Sequence, residues 1–178
     1  MEQLKTLFRL IYFRLIGPNR TAKKLGVRFG KNCVFRSIYF GSEPYLIEMG
    51  DDVRTTRGVT FITHDSLSVI RKKYPEYRNA DLFGKITVGN NVFIGMHSTI
   101  LRGTVIEDNV IIGAGSVVKG RLKADSVYAG VPAKFICTLE QYIEKNKARY
   151  DYTKDLNPEE KERYLVAKYC DGAADDDR

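Results

Sequence analysis

The chain contains 178 residues with a formal net charge of +7, a length that suits one domain with a sizeable core and an appended helical piece. No segment is long and apolar enough to span a bilayer, no signal peptide is visible, and three widely separated cysteines, Cys33, Cys137 and Cys170, predict neither a metal cluster nor a disulfide framework and favour a reducing cytoplasm. The positive charge suggests a membrane surface or a phosphorylated ligand; nucleic acid is disfavoured because the basic residues are scattered and no binding motif is present, and a solvated basic surface is the alternative.

An amphipathic helix is the first predicted element, in the stretch "LKTLFRLIYFRLIG" at residues 4–17. Its apolar side chains recur on one face, and Gly17 with Pro18 is predicted to end it. Residues 1–24 are therefore assigned to a helix and a linker. Basic side chains between the apolar ones would allow peripheral contact with an anionic membrane. Packing against the following domain or a neighbouring subunit is the favoured use.

A pattern with a period of six begins in the next segment. Large or branched residues lead five groups of six, with a shift of two residues near "GSEPYL": Phe29, Phe35, Met49, Thr55 and Phe61. The fifth position of the last group, "FITHDS", is Asp65 instead of an apolar residue, so the pattern fails there. His64, one of the two histidines in the chain, lies immediately before that break.

Residues 66–85, "SLSVIRKKYPEYRNADLFGK", interrupt the pattern and predict a long extruded loop. A loop of this length inside a compact repeat is usually functional. It carries two tyrosines, Tyr74 and Tyr77, and a group of basic residues that includes Arg71, Lys72, Lys73 and Arg78. We interpret it as a lid suited to a sugar or to phosphate groups, with Tyr74 as a candidate substrate-binding residue. A solvated excursion is the alternative.

Six consecutive groups of six follow from Val88. The first positions are aliphatic, and the fifth are mostly small or branched: Val88, Ile94, Ile100, Ile106, Ile112 and Val118, then Val92, Ser98, Thr104, Val110, Ser116 and Leu122. A period of six matches no helical face, because six residues turn a helix well beyond one full turn. It fits a short strand and a tight turn, with corners such as Gly89-Asn90-Asn91 and Gly113-Ala114-Gly115. Stacked coils of this kind bury a continuous apolar column.

The repeat is followed by "AGVPAK" and by a charged tail at residues 138–178. The tail is predicted to be helical in two pieces. Asn157 suits the cap of the second helix, with Pro158 at its first position. The final stretch, "DGAADDDR", is predicted to be disordered.

The groups of six resemble the hexapeptide repeat of the left-handed parallel β-helix acyltransferases, in which three sixes form one triangular coil. The resemblance covers residues 25–137. With "AGVPAK", the chain is similar to acetyl-CoA-using members such as the galactoside, maltose and serine acetyltransferases. This resemblance implies an all-β core with an N-terminal helix and a C-terminal helical extension. It also implies a homotrimer with active sites between subunits.

The resemblance also implies which residues contact the coenzyme. Gly130 would allow close approach of the backbone, and Lys134 would place a cation near the phosphates of coenzyme A. Met96, Ala114 and Lys119 match positions that line the coenzyme cleft. The alternative is that these residues only form corners, and that "AGVPAK" is a turn that ends the β-helix.

The "TH" of "FITHD" matches the position of the catalytic histidine in sugar acetyltransferases. By this resemblance His64 is the general base, since a neutral imidazole can take a proton near working pH, with no covalent enzyme intermediate. Asp65 could bind the acceptor, orient an imidazole or cap the turn. His97 lies in an unbroken part of the repeat, where a turn residue is the favoured interpretation, although it could still line the coenzyme cleft.

The leading hypothesis is an acetyl-CoA-dependent O-acetyltransferase that modifies a saccharide, such as a surface-polysaccharide precursor, without a metal. An acetyltransferase that acts on an antibiotic or on serine is an alternative with the same chemistry. A β-helix scaffold without activity is another alternative, although it would not need "THD" and "AGVPAK" together. A γ-type carbonic anhydrase is disfavoured, because its zinc needs three histidines and the chain has two.

Overall fold

The computed structural model describes residues 15–37 and 39–171. Most of the predicted N-terminal helix, and the acidic end predicted to be disordered from residue 172 onwards, lie outside these ranges. Helix α1 (Pro18–Leu25) begins at Pro18 and ends at Leu25, and its C-cap residue, Gly26, has a φ of 99°. The second part of the segment assigned to a helix and a linker is therefore helical from Pro18 onwards. Pro18 starts a helix here, because proline at the first helical position loses no hydrogen bond, and Gly26 supplies the left-handed C-cap.

The core consists of short strands joined by tight corners. The strands are β1 (Arg28–Phe29), β2 (Val34–Phe35), β3 (Ile47–Met49), β4 (Arg54–Thr55), β5 (Thr60–Ile62), β6 (His64–Asp65), β7 (Leu82–Phe83), β8 (Ile86–Val88), β9 (Phe93–Ile94), β10 (Thr99–Leu101), β11 (Val105–Ile106), β12 (Val110–Ile112), β13 (Val117–Val118), β14 (Arg121–Leu122), β15 (Ser126–Ala129) and β16 (Lys134–Thr138).

Most of the strands belong to three parallel sheets, which the chain visits in rotation. The first sheet has the order β1-β3-β8-β11-β14, the second has β2-β4-β9-β12-β15, and the third has β5-β10-β13. The last strand, β16, turns back and pairs antiparallel with β15 at the edge of the second sheet. Each circuit through the three sheets is one coil, and the coils stack through strand pairing.

The strand register confirms the period of six between β8 and β13. Val88 lies opposite Ile106, and Thr99 lies opposite Val117, so a regular coil has 18 residues. An early coil has 20 residues, since Arg28 lies opposite Glu48, which matches the shift near "GSEPYL". Backbone φ angles of 52° at Asn91 and 70° at Gly115 confirm these positions as corners.

The last coil departs from the predicted pattern. Leu122 lies opposite Ile106, so it takes the first position of a group of six and not the predicted fifth position. The coil that ends there has 16 residues, since Val105 lies opposite Arg121. The corner before β14 is two residues shorter than in a regular coil. Leu122 therefore pairs with Ile106 and still points into the core.

The core is the column of side chains that the repeat predicts. First-position residues from Met49 to Val118 are buried, and so are the fifth-position residues from Val53 to Ser116 except Asp65, which is exposed. Several buried hydroxyl groups donate to backbone carbonyl groups: that of Ser116 donates to the Gly113 carbonyl over 2.6 Å, and that of Thr104 donates to the Leu101 carbonyl over 2.6 Å. These bonds remove the cost of burying a hydroxyl group.

The predicted loop at residues 66–85 forms the long connection and the second strand of a β-hairpin. Strands β6 and β7 pair antiparallel at its base. Between them lie helix α2 (Ser68–Lys73) and a 3₁₀ turn (Pro75–Tyr77). The Arg71 guanidinium donates to the Ala80 carbonyl over 2.8 Å and pairs with the Asp81 carboxylate. These contacts fold the insertion onto itself.

The chain divides into two units after Tyr142. Helix α3 (Leu139–Asn146) follows β16, and helix α4 (Pro158–Val166) forms the main element of the second unit. The predicted helix start is confirmed. The Asn157 side chain accepts from the Glu160 backbone amide, and the Glu160 side chain accepts from that of Asn157, which forms a capping box.

Candidate active site

His64 lies where the chain leaves the third sheet. Strand β5 ends at Ile62, Thr63 is buried, and His64 begins the hairpin that replaces a tight corner. Because alternate residues of an extended chain point to opposite sides, burial of Thr63 directs His64 outward. Its side chain is 42% exposed, so the imidazole is reachable from solvent while its backbone is fixed by the core.

Two side chains hold the imidazole by one nitrogen. Nδ1 of His64 lies 3.0 Å from Oε2 of Glu43 and 3.1 Å from the hydroxyl oxygen of Ser42. A carboxylate can only accept, so the neutral imidazole donates from Nδ1 to Glu43. The other nitrogen, Nε2, then carries the lone pair and can take a proton from a bound hydroxyl group.

Glu43 is held as a carboxylate. Partial burial acts to raise its pKa, but hydrogen bonds from Thr63, His64 and Ser42 outweigh that effect and lower the pKa of Glu43 below its ordinary 4.5. The shortest of these bonds runs from the Thr63 hydroxyl to Oε2 over 2.6 Å. A negative charge is therefore maintained beside Nδ1, where it can stabilise the imidazolium ion that forms when Nε2 takes up a proton.

Neither Glu43 nor Ser42 was predicted from the sequence as a site residue. Both lie in "GSEPYL", the stretch where the repeat shifts by two residues. That irregularity was the available signal, because extra residues at a corner let side chains reach a neighbouring coil. Gly41 makes the corner possible: it has a φ of 69°, and a Cβ atom there would lie 2.9 Å from the Thr63 hydroxyl oxygen.

Asp65 points away from the imidazole. Its carboxylate accepts from Nε of Arg102 over 2.6 Å, and both side chains are partly exposed. The histidine is therefore oriented by Glu43, and Asp65 ties the base of the hairpin to the next coil. Its assignment as an acceptor-binding residue stays a prediction.

Phe83 is the aromatic residue nearest to His64 across the hairpin. The two residues are paired in the β6–β7 register, and their ring centroids are 5.9 Å apart. Tyr74 lies at the end of α2, where its ring packs edge-on against Tyr77 and beneath the Lys73 ammonium group. The role of Tyr74 in substrate binding stays a prediction.

The predicted coenzyme residues occupy two different corners. Met96, Ala114 and Gly130 follow strands of the second sheet on successive coils, and each is exposed. Gly130 has a φ of 100°, and its amide donates to the Ser116 hydroxyl. Lys134 begins β16, just after this corner.

Lys119 lies at the other corner. It follows β13 of the third sheet, as Arg102 follows β10 and His64 follows the end of β5. The third sheet thus separates His64 from Met96 and Ala114, so one protomer does not bring the predicted base and most of the predicted coenzyme contacts to the same corner.

The second histidine is a turn residue, as predicted. His97 has a φ of 58°, its amide donates to the Arg57 carbonyl, and its ring packs against Gly58 of the preceding coil. Within residues 15–37 and 39–171, no group of three histidine, cysteine, aspartate or glutamate side chains could hold a metal ion. A search of the same residues found no helix that could cross a membrane.

Comparison with known proteins places these features in context. Residues 85–120 match the family described as bacterial transferase hexapeptide (six repeats). The chain is 45% identical over 170 residues to Protein CapG of Staphylococcus aureus, covering 93% of this chain and 96% of that protein. It is 33% identical over 120 residues to galactoside O-acetyltransferase of Escherichia coli (strain K12), covering 66% of this chain and 54% of that protein.

A solved structure of galactoside acetyltransferase in complex with coenzyme A has a similar fold. The TM-score is 0.54, the sequence identity is 22%, and the match covers 85% of each chain. At this identity the likeness shows the fold, and that fold implies a left-handed β-helix for the three parallel sheets described above.

Proposed function

Because the chain belongs to the hexapeptide-repeat transferase family, whose relatives here include acetyltransferases, we propose that it transfers an acetyl group from acetyl-CoA to a saccharide hydroxyl group. The protein is an acyltransferase. The observation that carries the finer proposal is the pairing of His64 with Glu43 at an open corner of the β-helix. That pairing leaves Nε2 of His64 as a base exposed to an acceptor.

The proposed reaction needs no covalent enzyme intermediate. Nε2 of His64 removes the proton from the acceptor hydroxyl group as its oxygen attacks the thioester carbonyl carbon. The carbonyl π bond opens to an oxyanion, and collapse of this tetrahedral intermediate breaks the carbon–sulfur bond. The departing thiolate of coenzyme A takes the proton from His64. Glu43 keeps Nδ1 protonated throughout and stabilises the transient imidazolium ion.

The coenzyme is proposed to lie along the corner that carries Met96, Ala114 and Gly130, with its phosphates near Lys134. Since that corner and His64 lie on opposite sides of the third sheet, we propose a homotrimer in which His64 of one subunit meets the coenzyme corner of the next. A cyclic assembly would produce three equal sites. The galactoside acetyltransferase solved with coenzyme A supports the choice of coenzyme.

The acceptor is proposed to be a saccharide, such as a surface-polysaccharide precursor modified in the cytoplasm. The galactoside O-acetyltransferase relative supports the sugar, and the polysaccharide is the finer part of the proposal. An antibiotic or serine acceptor would use the same base and coenzyme, and would differ in the contacts around His64 alone.

A thiol-release assay tests the proposal. Full-length protein with acetyl-CoA is incubated with a panel of sugars, nucleotide sugars, serine and antibiotics, and the free thiol is measured against acetyl-CoA alone. Release stimulated by one or more sugars, with the O-acetyl sugar identified by mass spectrometry, is expected. Stimulation by serine or an antibiotic alone would replace the acceptor, and no stimulation would contradict the activity.

A further inference from the structure

We propose that Phe83 is the platform on which the acceptor is bound, with the apolar face of a pyranose ring stacked on the phenyl ring while a hydroxyl group of that sugar reaches Nε2 of His64. This inference rests on the proposed function and deepens it, since it names a cyclic sugar as the substrate class and assigns a specificity-determining residue beside the base.

Phe83 lies directly beside the proposed base. Phe83 and His64 are directly opposed in an antiparallel pair, so their side chains lie on the same face of the hairpin. The ring centroids are 5.9 Å apart and the planes are inclined by 56°. The two rings therefore form adjacent walls of one open angle, with the phenyl face on one side and the imidazole on the other.

Backbone contacts at Gly84 hold Phe83 in place. The Gly84 amide donates to the Thr63 carbonyl over 2.9 Å, which joins the hairpin to the strand that carries His64. Gly84 also lies so close to the next coil that a Cβ atom there would be 2.8 Å from the Gly103 amide nitrogen. Phe83 is therefore held next to a close backbone contact, and a platform fixed in advance costs little entropy when a ligand binds.

The side chain of Phe83 is exposed to solvent. Phe83 keeps 48% of its surface accessible, although Ile86, three residues later, is fully buried in the core. An exposed phenyl ring adjacent to a polar, hydrogen-bonded base has the two components of a small-molecule site, an apolar surface and a precisely placed polar group. The C–H groups on one face of a pyranose suit the phenyl ring, and its equatorial hydroxyl groups point sideways towards the imidazole.

The neighbouring residue provides a matched control. Leu82 is 39% exposed, is opposed to Asp65 in the same pair of strands, and points to the other face of the hairpin. Leu82→Ala removes a comparable apolar surface from the same strand without touching the angle between Phe83 and His64. A general effect on the hairpin would appear in both variants, and an effect on the acceptor in Phe83→Ala alone.

The test uses full-length protein with methyl β-D-galactopyranoside, methyl β-D-glucopyranoside and methyl 2-acetamido-2-deoxy-β-D-glucopyranoside, and with the acyclic polyol galactitol as a non-cyclic probe. We expect Phe83→Ala to raise the KM for the accepted pyranoside by about tenfold with kcat nearly unchanged. Phe83→Tyr and Phe83→Trp should stay within about threefold of the wild type, because each keeps an aromatic face. Leu82→Ala should match the wild type.

Binding is measured separately by saturation-transfer NMR, which needs no turnover. Transfer to the ring protons of a pyranoside that is lost in Phe83→Ala would support the platform even if no acetyl transfer occurred, which separates this inference from the proposed function. An unchanged KM in Phe83→Ala would overturn it, as would absence of transfer to every pyranoside in the panel. A change of oligomeric state in Phe83→Ala by light scattering would instead assign Phe83 to a subunit contact.

Discussion

At the scale of single residues, the site depends on one shared oxygen atom. Oε2 of Glu43 accepts from the Thr63 hydroxyl group, which is buried, and lies within hydrogen-bond distance of His64 Nδ1. The core thus fixes the carboxylate, and the carboxylate fixes the imidazole. A histidine that is 42% exposed would otherwise sample several rotamers, so this chain of contacts is what turns an exposed turn residue into a placed base.

His64→Ala should lower kcat for acetyl transfer by about two to four orders of magnitude, the span expected for loss of a general base. Its folding should be nearly unaffected, because the side chain is partly exposed and lies outside the core. Thiol release at saturating substrates gives the rate, and circular dichroism with thermal unfolding gives the stability. A variant with wild-type turnover would remove His64 from catalysis.

Glu43→Gln should lower kcat by about ten- to a hundredfold, with a smaller effect on KM. Gln keeps an acceptor oxygen for Thr63 but loses the charge, and a hydrogen bond to a charged group contributes roughly 1.5–3 kcal/mol. The measurement is the initial rate at saturating acetyl-CoA and acceptor. A Ser42→Ala variant is the control for loss of the other neighbour of Nδ1.

The same substitution has a pH signature in stability. The pKa of Glu43 is depressed in the folded protein relative to 4.5, so its stabilising contribution is present above that value and is lost as the pH falls through the folded pKa. The difference in unfolding free energy between wild type and Glu43→Gln, measured by urea titration, should therefore be constant above about pH 4.5 and shrink as the pH falls below that value. A difference that stays constant below that value would contradict the depressed pKa.

At the scale of elements, the period of six predicts inward and outward positions well, because each depends on alternation within a two- or three-residue strand. The sequence could not reveal the contact between Glu43 and His64, which joins residues 21 apart from an irregular corner to the neighbouring coil. Nor could it show that Phe83 faces His64, because two-residue strands inside a polar insertion carry no periodic signal. The position of Leu122 was predicted wrongly for a related reason. The corner before it is two residues shorter than the others, and the sequence of the strand does not show that shortening.

Ile100→Ala should destabilise the β-helix by about 2–5 kcal/mol. This is the cost of deleting a buried aliphatic side chain where the stacked coils cannot move together to fill the cavity. Ile100 is fully buried in β10, which pairs with strands on both sides. Urea unfolding measures the loss. Thr99 lies in the same strand and faces outward. As the control, Thr99→Ala should change the unfolding free energy by less than about 1 kcal/mol.

At the scale of the whole molecule, the separation of His64 from the corner with Met96 and Ala114 has a stoichiometric consequence. If each site takes His64 from one subunit and the coenzyme corner from the next, two inactive variants should restore each other in mixed trimers. Ala114→Trp suits the second variant, since Ala114 is exposed and a bulky side chain would fill the proposed coenzyme corner without entering the core.

Co-expression of His64→Ala with Ala114→Trp should recover about a quarter of wild-type activity. In a statistical mixture, roughly three quarters of cyclic trimers contain both variants, and each of those has about one intact site in three. Activity of the whole co-expressed preparation is compared with that of separately expressed variants combined after folding. Failure to exceed the separate variants, with mixed trimers confirmed by two affinity tags, would place each site within a single subunit.

The reversal of β16 sets a limit on growth. A stack of parallel coils exposes unpaired amide and carbonyl groups at its last strand, and such an edge is a template on which another chain can polymerise. Here β16 runs against β15 and occupies that edge in the second sheet, while at the opposite end α1 buries Ala22 against the first coils. The antiparallel β16 thus blocks addition of a further parallel strand to the second sheet, and α1 packs against the first coils.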